Sequence, residues 1–263
     1  MPELPEVETT RRLIEPFLLG QVIDTIEHEN NHRYQGLSNV LGRKVVALDR
    51  RGKYIIARFE EPIELIIHLG MTGGFRLEPG KHTRVTVTTS KGTVYFQDSR
   101  KFGKWLVVPQ GEYVTMPTLH EMGPEPLSDA FELEAFVQDM AQAPKIKPYL
   151  LSQKPVAGLG NIYVDEALWH SQIHPEATRL NPEQATRLYH AIRDVIARAV
   201  EAGGSTLSDQ SYGLLDGNPA YFQFEHMAYA REGEPCQRCQ QPIAKYWLAQ
   251  RGTHHCPNCQ PMP

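Results

Sequence analysis

The sequence predicts an α+β protein in several parts. A strand-rich N-terminal half reads as an antiparallel sandwich or barrel with one helix laid along it, a helical half follows, and a short metal-bound segment ends the chain. Three observations lead there. Between residues 22 and 108, short β-branched and aromatic runs recur at even spacing, broken by Gly, Pro, Asp or Asn, as strands of a sandwich or barrel do. From Ser128 onward the apolar spacing lengthens to the period of helices. All four cysteines lie after residue 235, as Cys236-x2-Cys239 and Cys256-x2-Cys259 separated by residues 240–255, the spacing of a four-thiolate zinc site.

The 263 residues can supply two domains with their own cores, and 41% hydrophobic and 22% charged content is ordinary for a globular protein. The longest apolar runs, such as Ile63 to Leu69, fall far short of the roughly 20 residues a membrane helix needs. With no basic-then-apolar leader, a cytoplasmic protein without a membrane partner is expected. A net charge of -4 excludes a surface coated in positive charge but leaves room for a local basic groove. In a reducing compartment, clustered cysteines point to metal rather than disulfides.

The first helix is predicted from Pro5 towards Ile14, with Leu4, Val7 and Ile14 inward and Pro16 and Gly20 as its stop. Strands are predicted at Val22–Glu27, Lys44–Asp49, Lys53–Phe59, Ile63–Leu69, Thr83–Thr88, Thr93–Gln97 and Lys104–Val108. Pro117, Gly123, Pro124 and Pro126 mark a linker over 116–127, which sets a first domain at 1–115. Ser128 can cap a helix carrying Leu133, Phe136, Val137 and Met140, and Asn181-Pro182-Glu183 opens a longer one. Between them, two helical stretches flank Val156-Ala157-Gly158-Leu159-Gly160-Asn161. Such a turn exposes backbone amides and the Asn161 side chain at a helix start, which suits a phosphate, or it is a plain helical hairpin. Residues 203–224, rich in Gly, Ser, Asp, Asn and Pro, read as a mobile loop. This places a helical domain at 128–224 and a four-cysteine finger at 225–263. The finger carries Arg231, Arg238, Lys245 and Arg251 against Glu232 and Glu234, so its metal folds a basic hairpin. Four thiolates leave no open coordination position for chemistry.

The N-terminus Met1-Pro2-Glu3-Leu4-Pro5-Glu6-Val7-Glu8 supports two readings. Removal of Met1 would turn Pro2 into a secondary amine that can attack an electrophilic carbon and form an iminium ion, with Glu3 as a general acid. The nearby positive end of the helix dipole would favour the neutral amine, whereas Glu3 and Glu6 as carboxylates would favour the ammonium. The other reading is a helix start alone, with proline in the first turn and acids against the dipole.

Seven signatures decide between them. The N-terminal Pro-Glu-Leu-Pro-Glu-Val-Glu, Arg51-Gly52-Lys53, His68-Leu69-Gly70-Met71, Asp98-Ser99-Arg100-Lys101-Phe102-Gly103, Gly123-Pro124-Glu125-Pro126-Leu127, Gly160-Asn161-Ile162-Tyr163 and the four-cysteine finger occur in the order seen in bacterial formamidopyrimidine-DNA glycosylases. The chain resembles that family over essentially its whole length. The resemblance implies a multidomain α+β fold: an N-terminal β-sandwich with an N-terminal helix, then a helical domain with a helix-two-turn-helix element and a zinc-finger β-hairpin. It implies a monomer that binds damaged double-stranded DNA, excises oxidised purines such as 8-oxoguanine and formamidopyrimidines, and then cuts the strand. One structural zinc and no catalytic cofactor are expected.

Carried over by motif, Pro2 is the nucleophile at the anomeric carbon and Glu3 the acid that assists ring opening. Lys53 contacts phosphate and serves β-elimination, and Arg251 contacts phosphate and serves δ-elimination. The resemblance assigns Asn161 to phosphate binding. Met71, Arg100 and Phe102 fill the gap left by a flipped base, Arg100 facing the orphaned cytosine. His82, Lys145 and Glu6 complete the DNA-binding set, His82 by its place in the strand order and Lys145 by its place in a thin basic segment. The chemistry agrees: a base must leave the stack before its sugar can be attacked, and apolar wedges with an arginine suit the hole it leaves. Lys101 and His254-His255 depart from the residues frequent in the family, as does Ala230. A sister glycosylase for oxidised pyrimidines is disfavoured by Leu4, and a non-catalytic DNA-binding protein by Pro2, Glu3, Lys53 and Arg251 together.

Overall fold

The computed structural model describes residues 1–206 and 212–262; residues 207–211, inside the loop predicted over 203–224, lie outside the described residues. The chain forms two compact units, Met1–His120 with Ala202–Gln223, and Glu121–Glu201 with Phe224–Pro263. Among the described residues no helix is long and apolar enough to cross a membrane.

In the first unit, helix α1 (Leu4–Leu18) starts at Glu3, whose backbone N–H donates to the Glu6 carboxylate at 2.7 Å, one half of a capping box. Two sheets follow. β1 (Thr25–His28), β7 (Thr83–Thr89), β8 (Gly92–Gln97) and β6 (Gly74–Arg76) lie in that order in one. The other runs β2 (Tyr34–Gln35), β9 (Lys104–Pro109), β5 (Ile63–His68), β4 (Tyr54–Phe59), β3 (Val45–Arg51). Alternating side chains from both sheets, such as Val85, Val87 and Phe96 on one and Ile55, Ala57, Ile67 and Trp105 on the other, share one core with Val7, Ile14 and Leu18 of α1. This is the predicted sandwich with its helix. The opposite face of the five-stranded sheet buries Ile56, Ile66 and Leu106 under Met116 and Leu119, the first just before α2 (Pro117–His120) and the second within it.

The second unit holds α3 (Leu133–Met140), α4 (Ile146–Leu151), α5 (Asn161–Ser171) and α6 (Pro182–Glu201), then the hairpin β10 (Ala244–Leu248) and β11 (Arg251–His255). α6 opens where predicted. Asn181 Oδ1 accepts the Gln184 N–H at 2.9 Å and Gln184 Oε1 accepts the Asn181 N–H at 3.0 Å, a reciprocal cap.

Several expectations are corrected. Pro16 does not stop α1: a proline there removes one donor, and burial of Leu18, 5% exposed, carries the last turn past it. Ser128 does not cap α3, which starts after Glu132; its hydroxyl instead donates to the Glu125 carbonyl in a turn. β2 and β6 escape the pattern because two or three residues cannot show alternation, and β2 pairs with β9 in parallel. Segment 202–223 packs with the first unit, where the Ser205 N–H donates to Glu6 Oε1 at 2.7 Å and the Tyr212 hydroxyl to the Glu6 carbonyl at 3.3 Å. The predicted linker is divided, its part up to His120 in the first unit and the remainder in the second.

Candidate active site

The first unit carries the groups suited to covalent chemistry. Pro2 and Glu3 are buried at the start of α1, with Glu3 3% exposed. Glu6, 1% exposed, holds this end: one carboxylate oxygen takes the Glu3 N–H and the other the Ser205 N–H. Further along α1, Glu8 pairs with Arg11 and Arg12 on its own helix and with Arg50 of β3 at 3.1 Å. Although burial opposes ionisation, these arginines hold its carboxyl below the usual range. The Glu8–Arg50 bridge ties α1 to the β3–β4 hairpin, whose two-residue turn is Gly52-Lys53. Lys53 is only 4% exposed. Burial, with help from the Lys53 and Lys104 ammonium groups, pulls His68 down to about 4. Its neutral ring accepts the Gly70 N–H on Nδ1 at 3.1 Å, which leaves the proton on Nε2.

The structure also brings Met71, Arg100 and Phe102 together. Gly70 has φ +74, and a Cβ there would meet the Phe102 backbone at 2.5 Å, so the loop carrying Met71 lies directly on the loop carrying Arg100 and Phe102. Asp98, fully buried, organises the second loop: it accepts the Thr72 hydroxyl at 2.5 Å, the Gly103 N–H at 2.6 Å and the Arg100 N–H at 3.2 Å. A Cβ on Gly103 would strike Phe96 at 2.6 Å, so this loop sits on the sandwich core. Phe102, 40% exposed, lies under the Arg100 guanidinium at 5.1 Å and the Arg33 guanidinium at 5.9 Å, contacts of cation–π type. The His82 carbonyl accepts the Asp98 N–H at 2.9 Å, which sets His82 beside this loop. Asp98 opens one of the seven signatures but is given no role from sequence, and nothing local marks Arg33.

In the second unit, Asn161 opens α5, and its Nδ2 donates to the Gly252 carbonyl at 2.9 Å, while its buried Oδ1 has no partner among the described residues. The side chain is therefore half-buried and turned to the hairpin, rather than freely exposed as expected. The Gly252 carbonyl also accepts Lys147 Nζ at 3.2 Å. Lys147 and Asp165 are both 0% exposed and meet at 2.6 Å; the second Asp165 oxygen accepts the His254 N–H at 2.9 Å and lies 3.2 Å from His254 Nδ1. Arg251, exposed at the hairpin turn, is thus held through its neighbour Gly252. Asn161, Tyr229, Lys245 and Gly252 line an open cavity of about 500 Å³. Lys145 stands at the cap of α4, with its ammonium paired to Glu176. Glu166, buried in α5, accepts the N–H groups of Met227, Ala228 and Tyr229 at 2.8, 2.9 and 2.7 Å, which fixes the segment bearing Tyr229. No sequence motif marks Asp165 or Glu166, and Lys147 stands out in the sequence only as a basic residue.

The four cysteine sulfurs lie within 4.8 Å of one another, with Cys236–Cys259 at 3.9 Å and Cys239–Cys256 at 3.4 Å. A tetrahedral zinc with bonds of about 2.3 Å sets its sulfurs roughly 3.8 Å apart, far beyond a disulfide's roughly 2.05 Å. Burial works against ionisation of Cys236, yet the N–H groups of Arg238 and Cys239 bring its thiol down to about 6. This is a structural zinc site, saturated by its four ligands.

Fold and site together define an α+β protein of two units, the second carrying a helical domain and a four-thiolate zinc finger. Residues 1–105 match the formamidopyrimidine-DNA glycosylase N-terminal domain, residues 122–211 that enzyme's H2TH domain, and residues 233–261 the zinc finger found in FPG and IleRS. The chain is 54% identical over 274 residues to a formamidopyrimidine-DNA glycosylase of Deinococcus radiodurans, covering 100% of this chain and 98% of that protein. One from Thermus thermophilus is 48% identical over 99% of this chain and 98% of its own. The crystal structure of the MutM (Fpg) protein from Thermus thermophilus superimposes with a TM-score of 0.95 over 100% of both chains. Lactococcus lactis Fpg (MutM), solved in complex with a DNA containing N7-benzyl-Fapy-dG, gives 0.90 at 36% identity, over 99% of this chain and 100% of its own. The chain belongs to the formamidopyrimidine-DNA glycosylase family.

Proposed function

We propose that this protein is a bifunctional DNA glycosylase and AP lyase of base excision repair. It acts as a cytoplasmic monomer on damaged double-stranded DNA and removes oxidised purines, namely 8-oxoguanine and formamidopyrimidines. With Met1 removed, the Pro2 nitrogen bonds to the anomeric carbon as the bond to the damaged base breaks, the electron pair leaving with the base. Glu3 protonates the sugar ring oxygen, the ring opens, and an iminium ion joins protein to DNA. β-Elimination assisted by Lys53 and δ-elimination assisted by Arg251 then cut the strand. Met71, Phe102 and Arg100 occupy the space of the flipped nucleotide, and Asn161 and Arg251 bind phosphate. His82 and Lys145 add DNA contacts, while Glu6, expected among them, is buried with its two oxygens on the Glu3 and Ser205 N–H groups and serves to hold the N-terminal end.

The observation that carries this reading is the buried Pro2-Glu3 pair, with the Glu3 backbone fixed by Glu6. Glu3 caps α1, as it would in a protein that only binds DNA, but a buried acid beside a potential secondary amine also suits proton transfer to a sugar. Borohydride trapping tests it: the processed protein should give a covalent species of protein plus oligonucleotide mass, with the DNA mapped to Pro2. With Met1 retained the Pro2 nitrogen is a tertiary amide whose lone pair is delocalised, so trapping should vanish. DNA mapped to Lys53, or undiminished trapping with Met1 present, refutes the mechanism.

A further inference from the structure

Trp247, in β10 of the zinc hairpin, is 74% exposed, whereas Trp105 and Trp169 are 1% and 4% exposed. A lone exposed apolar residue is unremarkable on a protein surface; the position of this one is informative. Residues two apart on a strand share a face, and so do residues directly opposite across the ladder. The register Lys245↔His254 and Trp247↔Gly252 therefore sets Trp247 on the face of Lys245, Gly252 and His254. Those three residues help to line the cavity that also contains Asn161. The step from Lys245 to Trp247 is roughly 7 Å along the strand, about two nucleotide rises of B-form DNA. The hairpin bearing the indole is clamped by the zinc ligands on one side and by Lys147 and Asn161 at Gly252 on the other, so the ring is presented on a rigid arm.

We propose that Trp247 is a further DNA-binding residue, whose indole packs on the sugar and base one or two nucleotides from the phosphate held in the Asn161–Lys245 cavity. The inference rests on the glycosylase reading above. Lys245, which pairs with Glu232 of the same cavity at 3.3 Å, supplies the positive charge on this face; Trp247 supplies an uncharged, sequence-tolerant aromatic face. Its share of the affinity is insensitive to salt, unlike that of Lys245.

The test uses the zinc-loaded full chain and a duplex carrying a tetrahydrofuran abasic-site analogue, which cannot be processed. Iodide should quench the emission of Trp247 in the free protein, and the duplex should protect it. Trp247→Ala should weaken binding by roughly 5- to 100-fold, the worth of one base–aromatic contact, with an unchanged log-log salt slope, and Trp247→Phe should recover most of the loss. The quenching arm needs no substitution, so it decides the matter even if Trp247→Ala loses zinc. Iodide quenching that persists in the complex, or binding by Trp247→Ala within twofold of the wild type, overturns the proposal alone. Failure of the wild type to bind any duplex overturns the glycosylase reading and this inference with it.

Discussion

Replacing Lys147 by methionine is expected to destabilise the second unit by about 3–5 kcal/mol, the usual cost of breaking a buried ion pair from one side. Lys147 and Asp165 are both 0% exposed, with Nζ 2.6 Å from the carboxylate. Methionine fills the space of the lysine stem but leaves the Asp165 charge uncompensated in the interior. Adding Asp165→Asn removes that charge while keeping an acceptor for the His254 N–H, which Asp165 binds at 2.9 Å. The double variant should therefore recover most of the loss, leaving roughly 1–2 kcal/mol for the hydrogen bonds to the lysine, and the two substitutions should couple by about 2 kcal/mol or more. Urea unfolding of the zinc-loaded protein measures this, followed by reaction of the cysteines with a thiol reagent, since all four lie in this unit. A double variant as unstable as Lys147→Met would show that the cost is lost packing and not an orphaned charge.

Metal analysis of protein purified without chelators should find about one zinc per chain, and Cys256→Ser should abolish DNA binding while the first unit stays folded, as judged by circular dichroism of its strands. His68 makes stability depend on pH. Its folded value of about 4 lies below the roughly 6.5 of an unfolded histidine, so the unfolded chain binds the extra proton, and stability is lost as pH falls from about 6.5 towards 4. At pH 5 the loss from this one group is at most about 2 kcal/mol. The drop in melting temperature between pH 7 and pH 5 should shrink in His68→Gln, and an unchanged drop would remove His68 from the account. Arg100→Ala should erode a preference for cytosine opposite the lesion by roughly 1–3 kcal/mol, read from binding to duplexes that differ only at that base; an unaltered preference would refute the role.

The strands were legible because a sheet buried on one face writes itself as alternation, and Val85, Val87, Val94 and Phe96 all point into the core as their spacing requires. The cysteines were legible because a tetrahedral thiolate site fixes short spacings within each pair. What stayed hidden depends on partners far apart in sequence. Lys147 meets Asp165 across 18 positions and Gly252 across 105, and nothing local distinguishes a lysine that will be buried from one that will be solvated. The return of 202–223 to the first unit is hidden in the same way, since its tie to Glu6 spans 199 positions.

Glu6 shows that the two readings of the N-terminus are compatible. As a cap, its carboxylate takes the Glu3 N–H, which orders the first turn of α1. The same bond fixes the backbone next to Pro2, so the cap that begins the helix also holds the residue that follows Pro2. Its second oxygen takes the Ser205 N–H, and Gly204, at φ +86, comes so close that a Cβ there would lie 2.6 Å from that oxygen. A side chain at 204 would therefore push on Glu6 and, through it, on Glu3 beside Pro2. Helix capping, loop anchoring and the backbone beside Pro2 thus all depend on a single buried carboxylate.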